Sequence, residues 1–192
     1  LPEFQEGKFL VQDPAARLVT LAAGVEPGQR VLDVCAAPGG KSFSAAFAME
    51  DRGEILSCDL HANKLSRIQE GARRLGLSCI QTQAADGRTF HPEWAEAFDA
   101  VLVDAPCSGL GIIRKKPDTR YKKPDALAML PVTQTAILEN AASYVRPGGL
   151  LVYSTCTVLP EENEQVCTAF LAEHPAFSME PFALPEPMGR TE

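Results

Sequence analysis

Apolar runs alternate with amphipathic stretches along most of the 192 residues, and the alternation predicts strands and helices in turn. "QRVLDV" (29–34), "GEILSCD" (53–59), "SCIQTQ" (78–83), "FDAVLVD" (98–104) and "GLLVYST" (149–155) read as five strands. Helical spacing falls before and between them, over 14–23, 41–49, 62–75 and 130–145. Asp13 as N-cap, Pro14 at the first helical position and Gly24 at the end bound the first helix. In 62–75, Leu65, Ile68, Ala72 and Leu75 recur at three- and four-residue steps before Gly76. "PEENEQVCTAFLAEH" (160–174) reads as a last helix opened by Pro160, and the proline-rich remainder carries no strand pattern.

Repeated strand–helix units predict the α/β class: a mostly parallel twisted sheet with helices on both faces. One domain suits the length. The expected layout is a lead-in segment and helix (1–28), the sheet domain (29–175) and an irregular tail (176–192).

Composition then narrows the class. No apolar run approaches the roughly 20 residues of a membrane helix, and the first residues show no basic region followed by an apolar one. The six cysteines form no C-x-x-C pair and the three histidines are scattered, so reduced thiols in a cytoplasmic protein without a metal are expected. A net charge of −7 argues against nucleic acid until its distribution is considered. In "RKKPDTRYKK", residues Arg114, Lys115, Lys116, Arg120, Lys122 and Lys123 face one acid, Asp118. That stretch begins seven residues after Cys107.

Four carboxylates end or follow consecutive strands: Asp33, Asp59, Asp86 and Asp104. Open α/β sheets bind ligands along that edge. The first strand runs into "CAAPGGK", Cys35, Ala36, Ala37, Pro38, Gly39, Gly40 and Lys41, whose small residues let backbone approach a ligand. Asp59, nineteen residues after Gly40, is placed to accept from ribose hydroxyls, and Asp86 suits an adenine amine. The turn matches neither the triphosphate loop nor G-x-G-x-x-G, and its acidic rim disfavours a pyrophosphate. A cationic adenosyl ligand with an amino-acid tail, S-adenosylmethionine, suits it better.

Taken together, "VLDVCAAPGGKS", "CDL", "ADGR", "VLVDAPCSGLG", "IRKKPD" and "YSTCTVLPEENE" closely resemble the Sun/Fmu-type RNA cytosine-C5 methyltransferases, above all the bacterial ones acting on small-subunit ribosomal RNA. The resemblance runs from about Gly7 to Leu171. It implies a Rossmann-like class I S-adenosylmethionine-dependent fold, here a catalytic-domain fragment without the last strands or the RNA-binding domain that relatives add. It also implies that residues 35–41 surround the methionine part of the cofactor, Asp59 binds ribose and Asp86 lies by adenine. Asp104 and Cys107 fall in "DAPC", Cys156 in "STCT" matches the family's nucleophile, and the basic stretch lies on the RNA side. A monomer acting on RNA is expected.

The chemistry explains why two thiols are wanted. Addition of a thiolate to carbon 6 of cytosine breaks the ring's conjugation and makes carbon 5 nucleophilic. Asp104, kept protonated by burial and substrate, is the candidate to stabilise the ring at nitrogen 3. Cys107 is the candidate to assist release of Cys156 after methyl transfer, and Lys41 or the following helix to favour the thiolate. Cys35, Cys58, Cys79 and Cys167 read instead as small hydrophobes within patterned elements. Two other readings stay open: an idle RNA- or nucleotide-binding module, and a DNA C5 methyltransferase, whose nucleophile sits at the position of Cys107.

Overall fold

A computed structural model describes residues 1–122 and 127–183. Its five strands, β1 (Arg30–Asp33), β2 (Glu54–Asp59), β3 (Ile80–Ala84), β4 (Phe98–Asp104) and β5 (Val145–Ser154), form one sheet in the order β3-β2-β1-β4-β5. Every pairing is parallel. The order reverses between β1 and β4, so the crevice of a doubly wound sheet opens there, at the carboxyl ends.

Among the described residues, six α-helices accompany it: α1 (Pro2–Gln5), α2 (Pro14–Ala23), α3 (Gly40–Ala48), α4 (Ala62–Leu75), α5 (Leu130–Ala142) and α6 (Glu164–Glu173). The period-two alternation of the strands sends side chains to both faces. Val31, Ile55, Ala100 and Leu102 pack with Ala23, Ala45, Ala46 and Met49 of the α2–α3 side. Leu32, Val101 and Val103 pack with Ile137, Ala141 and Tyr144 on the α5 side. The central strands are therefore apolar almost throughout, which is what burial on both faces requires.

Caps account for the helix bounds. The Asp13 side chain accepts from the Ala15 amide, and Gly24 and Gly76 close α2 and α4 in left-handed conformation. Two predicted bounds change. The helix expected to reach residue 145 stops at Ala142, and Val145 already pairs with Phe98, across a shift in register before Ala100↔Leu150. The last helix does not begin at Pro160: a 3-10 turn, Pro160–Glu162, precedes α6. Asn163 breaks the two apart because its side chain donates to the carbonyls of Thr157 and Leu159 instead of continuing a helix. Residues 177–183 form no regular element.

Candidate active site

Gly39 closes the loop between β1 and α3 at φ +109°, where a Cβ would lie 2.4 Å from the Phe43 ring. Only glycine takes that turn without strain. The turn brings residues 35–38, Gly40 and Lys41 around a cavity of about 230 Å³ whose other walls are Asp33, Asp104, Val11, Gln12, Asp13 and Ala16. The lead-in segment is thus part of the wall. Gln12 donates to the Gly40 carbonyl (3.0 Å) and accepts from Ser44 (2.6 Å), tying residue 12 to the start of α3.

Lys41 meets Asp104 Oδ2 at 2.6 Å, and Ser154 donates to Asp104 Oδ1 at 2.9 Å. Asp104 is about one-third exposed and paired with Lys41, where the sequence pattern leads us to expect burial. Lys41 is committed to this carboxylate; the cation that acts on Cys156 is Lys116.

Asp59, buried at the end of β2, accepts from the His61 amide (3.0 Å) and lies 3.2 Å from Lys64 Nζ. Asp86 is gripped by Arg88, with contacts of 2.6 and 2.9 Å, which together with the Arg88 amide hold it down at about 2. Neither carboxylate lines the cavity; they continue the crevice beyond it, toward β2 and β3.

The thiols come together at the other end. β4 and β5 are neighbours in register, Asp104↔Ser154, so the loops that follow them leave side by side. Cys107 Sγ and Cys156 Sγ lie 3.1 Å apart, and the Cys156 amide points to Cys107 Sγ at 3.3 Å. The pair holds one negative charge more readily than two. Hydrogen bonding from Cys156 draws Cys107 down to about 6 against the cost of its half-burial, with help from the Cys156 and Gly109 amides. Cys156, hydrogen-bonded to that sulfur and partly desolvated beside Cys107 and Asp104, is pushed well above the ordinary thiol range; Lys116 opposes this.

Buried polar groups fix the two loops. Glu162 Oε2, on a residue 1% exposed, accepts from the Ser108 amide (2.8 Å) and from Gln134 Nε2 (2.8 Å), which also reaches the Pro106 carbonyl. Burial raises Glu162, yet these donors outweigh it and the net shift is downward. Ser108 and Thr157 hydroxyls meet at 2.6 Å. Gly111 donates to the Cys156 carbonyl (3.0 Å), and a Cβ there would lie 2.9 Å from that oxygen.

The basic stretch divides. Lys115 pairs with Asp13 on the cavity rim, Lys122 reaches the Ser108 carbonyl at 2.7 Å, and Arg120 donates to the Pro117 carbonyl. Arg114 and Lys116 are exposed, and Lys123 lies outside the described residues. Burial pushes the Cys35, Cys58 and Cys79 thiols up to about 12 and also raises Cys167, which suits packing groups rather than nucleophiles.

Sequence reasoning missed Glu162, Gln134, Ser108 and Gln12. Nothing in the pattern separates buried Glu162 from exposed Glu161. Among the described residues no group of three His, Cys, Asp or Glu is placed to hold a metal, and no helix is long and apolar enough to cross a membrane.

Known proteins resemble this chain in sequence and in fold. The chain is 48% identical over 179 residues to the probable ribosomal RNA small subunit methyltransferase B of Bacillus subtilis (strain 168), covering 91% of this chain and 39% of that protein. It superposes on the solved structure of PH0851 with a TM-score of 0.91 and 36% identity, covering 97% of this chain and 42% of that one. NSun6 from Pyrococcus horikoshii, solved with the S-adenosylmethionine analogue SFG, gives a TM-score of 0.83 at 30% identity, covering 90% and 44%. The chain therefore spans about two fifths of these relatives' length. The fold is that of class I S-adenosylmethionine-dependent methyltransferases. Residues 20–192 match the profile of the 16S rRNA methyltransferase RsmB/F family, and the chain belongs to that family.

Proposed function

We propose that the chain is the catalytic unit of an enzyme that transfers a methyl group from S-adenosylmethionine to carbon 5 of a cytidine in RNA, with small-subunit ribosomal RNA as substrate. The observation that carries the reading is the 3.1 Å approach of Cys107 and Cys156 at the ends of adjacent strands, next to the cavity that holds Lys41 and Asp104. Cys58 and Cys79 are buried, whereas these two open together on a ligand crevice.

The cavity fits the cofactor's tail: a glycine turn leaves backbone close to the space, and both an acid and a lysine line it. Bound there, S-adenosylmethionine supplies an electrophilic methyl group. Residues 35–41 and Asp59 hold and orient it, with Asp86 toward the adenine end.

In the resting pair, Cys107 carries the charge and Cys156 the proton. As Cys156 Sγ bonds to carbon 6 of the cytosine, its proton passes to Cys107 across the 3.1 Å contact. Lys41, held on Asp104 at 2.6 Å, brings a positive charge to the crevice in which the ring becomes electron-rich. After carbon 5 is methylated, Cys107, half-buried and open to water, loses that proton and removes the one on carbon 5. The electron pair returns to the ring and expels Cys156. Arg114, Lys116 and Arg120, exposed in the stretch that follows Cys107, contact RNA phosphates, and Lys115 and Lys122 add to the same basic field.

RNA containing 5-fluorocytidine tests the assignment, because fluorine at carbon 5 blocks the last step. With S-adenosylmethionine, a covalent adduct is expected in the wild type and in Cys107→Ala, and none in Cys156→Ala. An adduct that persists without Cys156 sinks the assignment, and no adduct in the wild type favours an idle binding module.

A further inference from the structure

The loop that carries Cys156 also holds an apolar side chain that the steps above do not use. Val158, two residues further on, is 70% exposed. Two residues of chain span at most about 7 Å. An RNA that lays a cytosine on Cys156 Sγ therefore brings the neighbouring nucleotides against Val158. Singly exposed apolar residues are common on protein surfaces and need no function. This one differs in how firmly its backbone is held.

Residues 155–159 fold around the side chain of Asn163. Its amide donates to the carbonyls of Thr157 (3.3 Å) and Leu159 (3.1 Å), one on each side of Val158. Its Oδ1 accepts from the Thr155 hydroxyl. The Thr157 hydroxyl accepts from the Leu159 amide (3.2 Å) and meets that of Ser108, while Gly111 donates to the Cys156 carbonyl. Turning Val158 inward would break several of these bonds, so the valine stays in water. Its β-branched side chain is also stiff at χ1 and has little freedom to lose on contact. The surroundings are basic: Lys116 acts on Cys156, and Arg114 and Arg120 are exposed in the same stretch.

The chemistry asks for such a group. A thiolate adds to the face of the cytosine ring, and in a stack both faces are covered by neighbouring bases. The target must therefore leave the stack, at a cost in stacking free energy. A rigid apolar group that fills the gap offsets part of that cost. We infer that Val158 is this group: a wedge, held by Asn163, that enters the stack beside the target and keeps the cytidine turned out onto Cys156. The inference rests on the reading of Cys156 as the nucleophile toward RNA. Val158 meets the flanking bases and not the reacting atoms, so it is a positioning residue.

Methyl transfer to unmodified small-subunit ribosomal RNA locates the target cytidine. A short RNA of that sequence then serves beside a copy whose two flanking nucleotides are abasic. Val158→Ala is expected to lower kcat/KM about tenfold on the first RNA, because two methyl groups leave an apolar contact. On the second, with no stack to open, the loss is expected to stay under about twofold. Val158→Ile should match the wild type on both. Because the side chain is exposed, these variants keep the fold, and S-adenosylhomocysteine affinity should not change. A distorted loop would slow both RNAs alike. Equal losses on the two RNAs, no loss on either, or Val158→Ile as slow as Val158→Ala overturns the inference. A wild type that methylates no cytidine in the ribosomal RNA removes the reading of the thiols, and the wedge with it.

Discussion

The two ends of the crevice are built in opposite ways. At the cofactor end, Asp33 and residues 35–41 belong to one strand, its turn and the next helix, so a single β–α unit makes most of the wall. At the thiol end, Cys107 and Cys156 are 49 residues apart and meet because β4 and β5 lie side by side. Their loops are held by Glu162 and Gln134, which come from two further elements. The first end stores a buried carboxylate with one oxygen unpaired; the second keeps its reactive atoms near solvent and buries the groups that position them. A ligand cradle can be local because backbone geometry makes it. Two side chains that must touch need long-range packing.

The largest expected effect separates the ends outright. Cys156→Ala should reduce transfer of a radiolabelled methyl group to RNA by about a thousandfold or more, while S-adenosylhomocysteine affinity stays within about twofold. A parallel loss of affinity would show that the ends are not separable. Next in size is Glu162→Ala, which leaves the Ser108 amide and Gln134 without an acceptor. Urea titration should show about 3 kcal/mol of lost stability, with loss of the adduct-forming reaction but cofactor binding retained in the folded fraction.

The thiol pair should also declare itself through pH. Adduct formation in the wild type should fall as pH drops through about 6, where the pair's first ionisation lies. In Cys107→Ala, Cys156 has no thiolate to take its proton, and the midpoint should move up toward the free-thiol value of about 8.5. At neutral pH that slows adduct formation by about tenfold or more; an unchanged profile rules out Cys107 as the acceptor.

At the cofactor end, Asp33 makes the ligand-free protein less stable as pH rises. Its folded value of about 7 exceeds the ordinary 3.8, so its contribution is fully present below about 4, declines as pH rises and levels off above 7. Between about pH 6 and about pH 8 the loss is about 1.4 kcal/mol, readable as a fall in melting temperature that Asp33→Asn should not share. Smallest is Lys115→Ala. The exposed pair with Asp13 is worth under about 1 kcal/mol of stability. If the same lysine also neutralises an RNA phosphate, its removal lowers the salt dependence of RNA binding by about one unit of slope.

The unequal legibility of the ends follows from their construction. The strand–turn–helix periods, the caps at Asp13 and Gly24 and the glycine turn at Gly39 are local, so the α/β class and the 35–41 loop could be read from short windows. The chemical types of Asp33, Asp59, Asp104, Cys107 and Cys156 at strand ends were equally visible. Their states were not. Protonation depends on what surrounds a group, and only the packed chain puts Lys41 on Asp104, Arg88 on Asp86 and one thiol on the other. The sequence by itself determined the order of elements and the supply of reactive side chains, because backbone preference and side-chain identity are properties of single residues and near neighbours. Tertiary structure alone decided that Cys107 and Cys156 meet, that Glu162 and not Glu161 is buried, and that Gln12 walls the cavity. Each of these depends on groups brought together across the sheet and desolvated there.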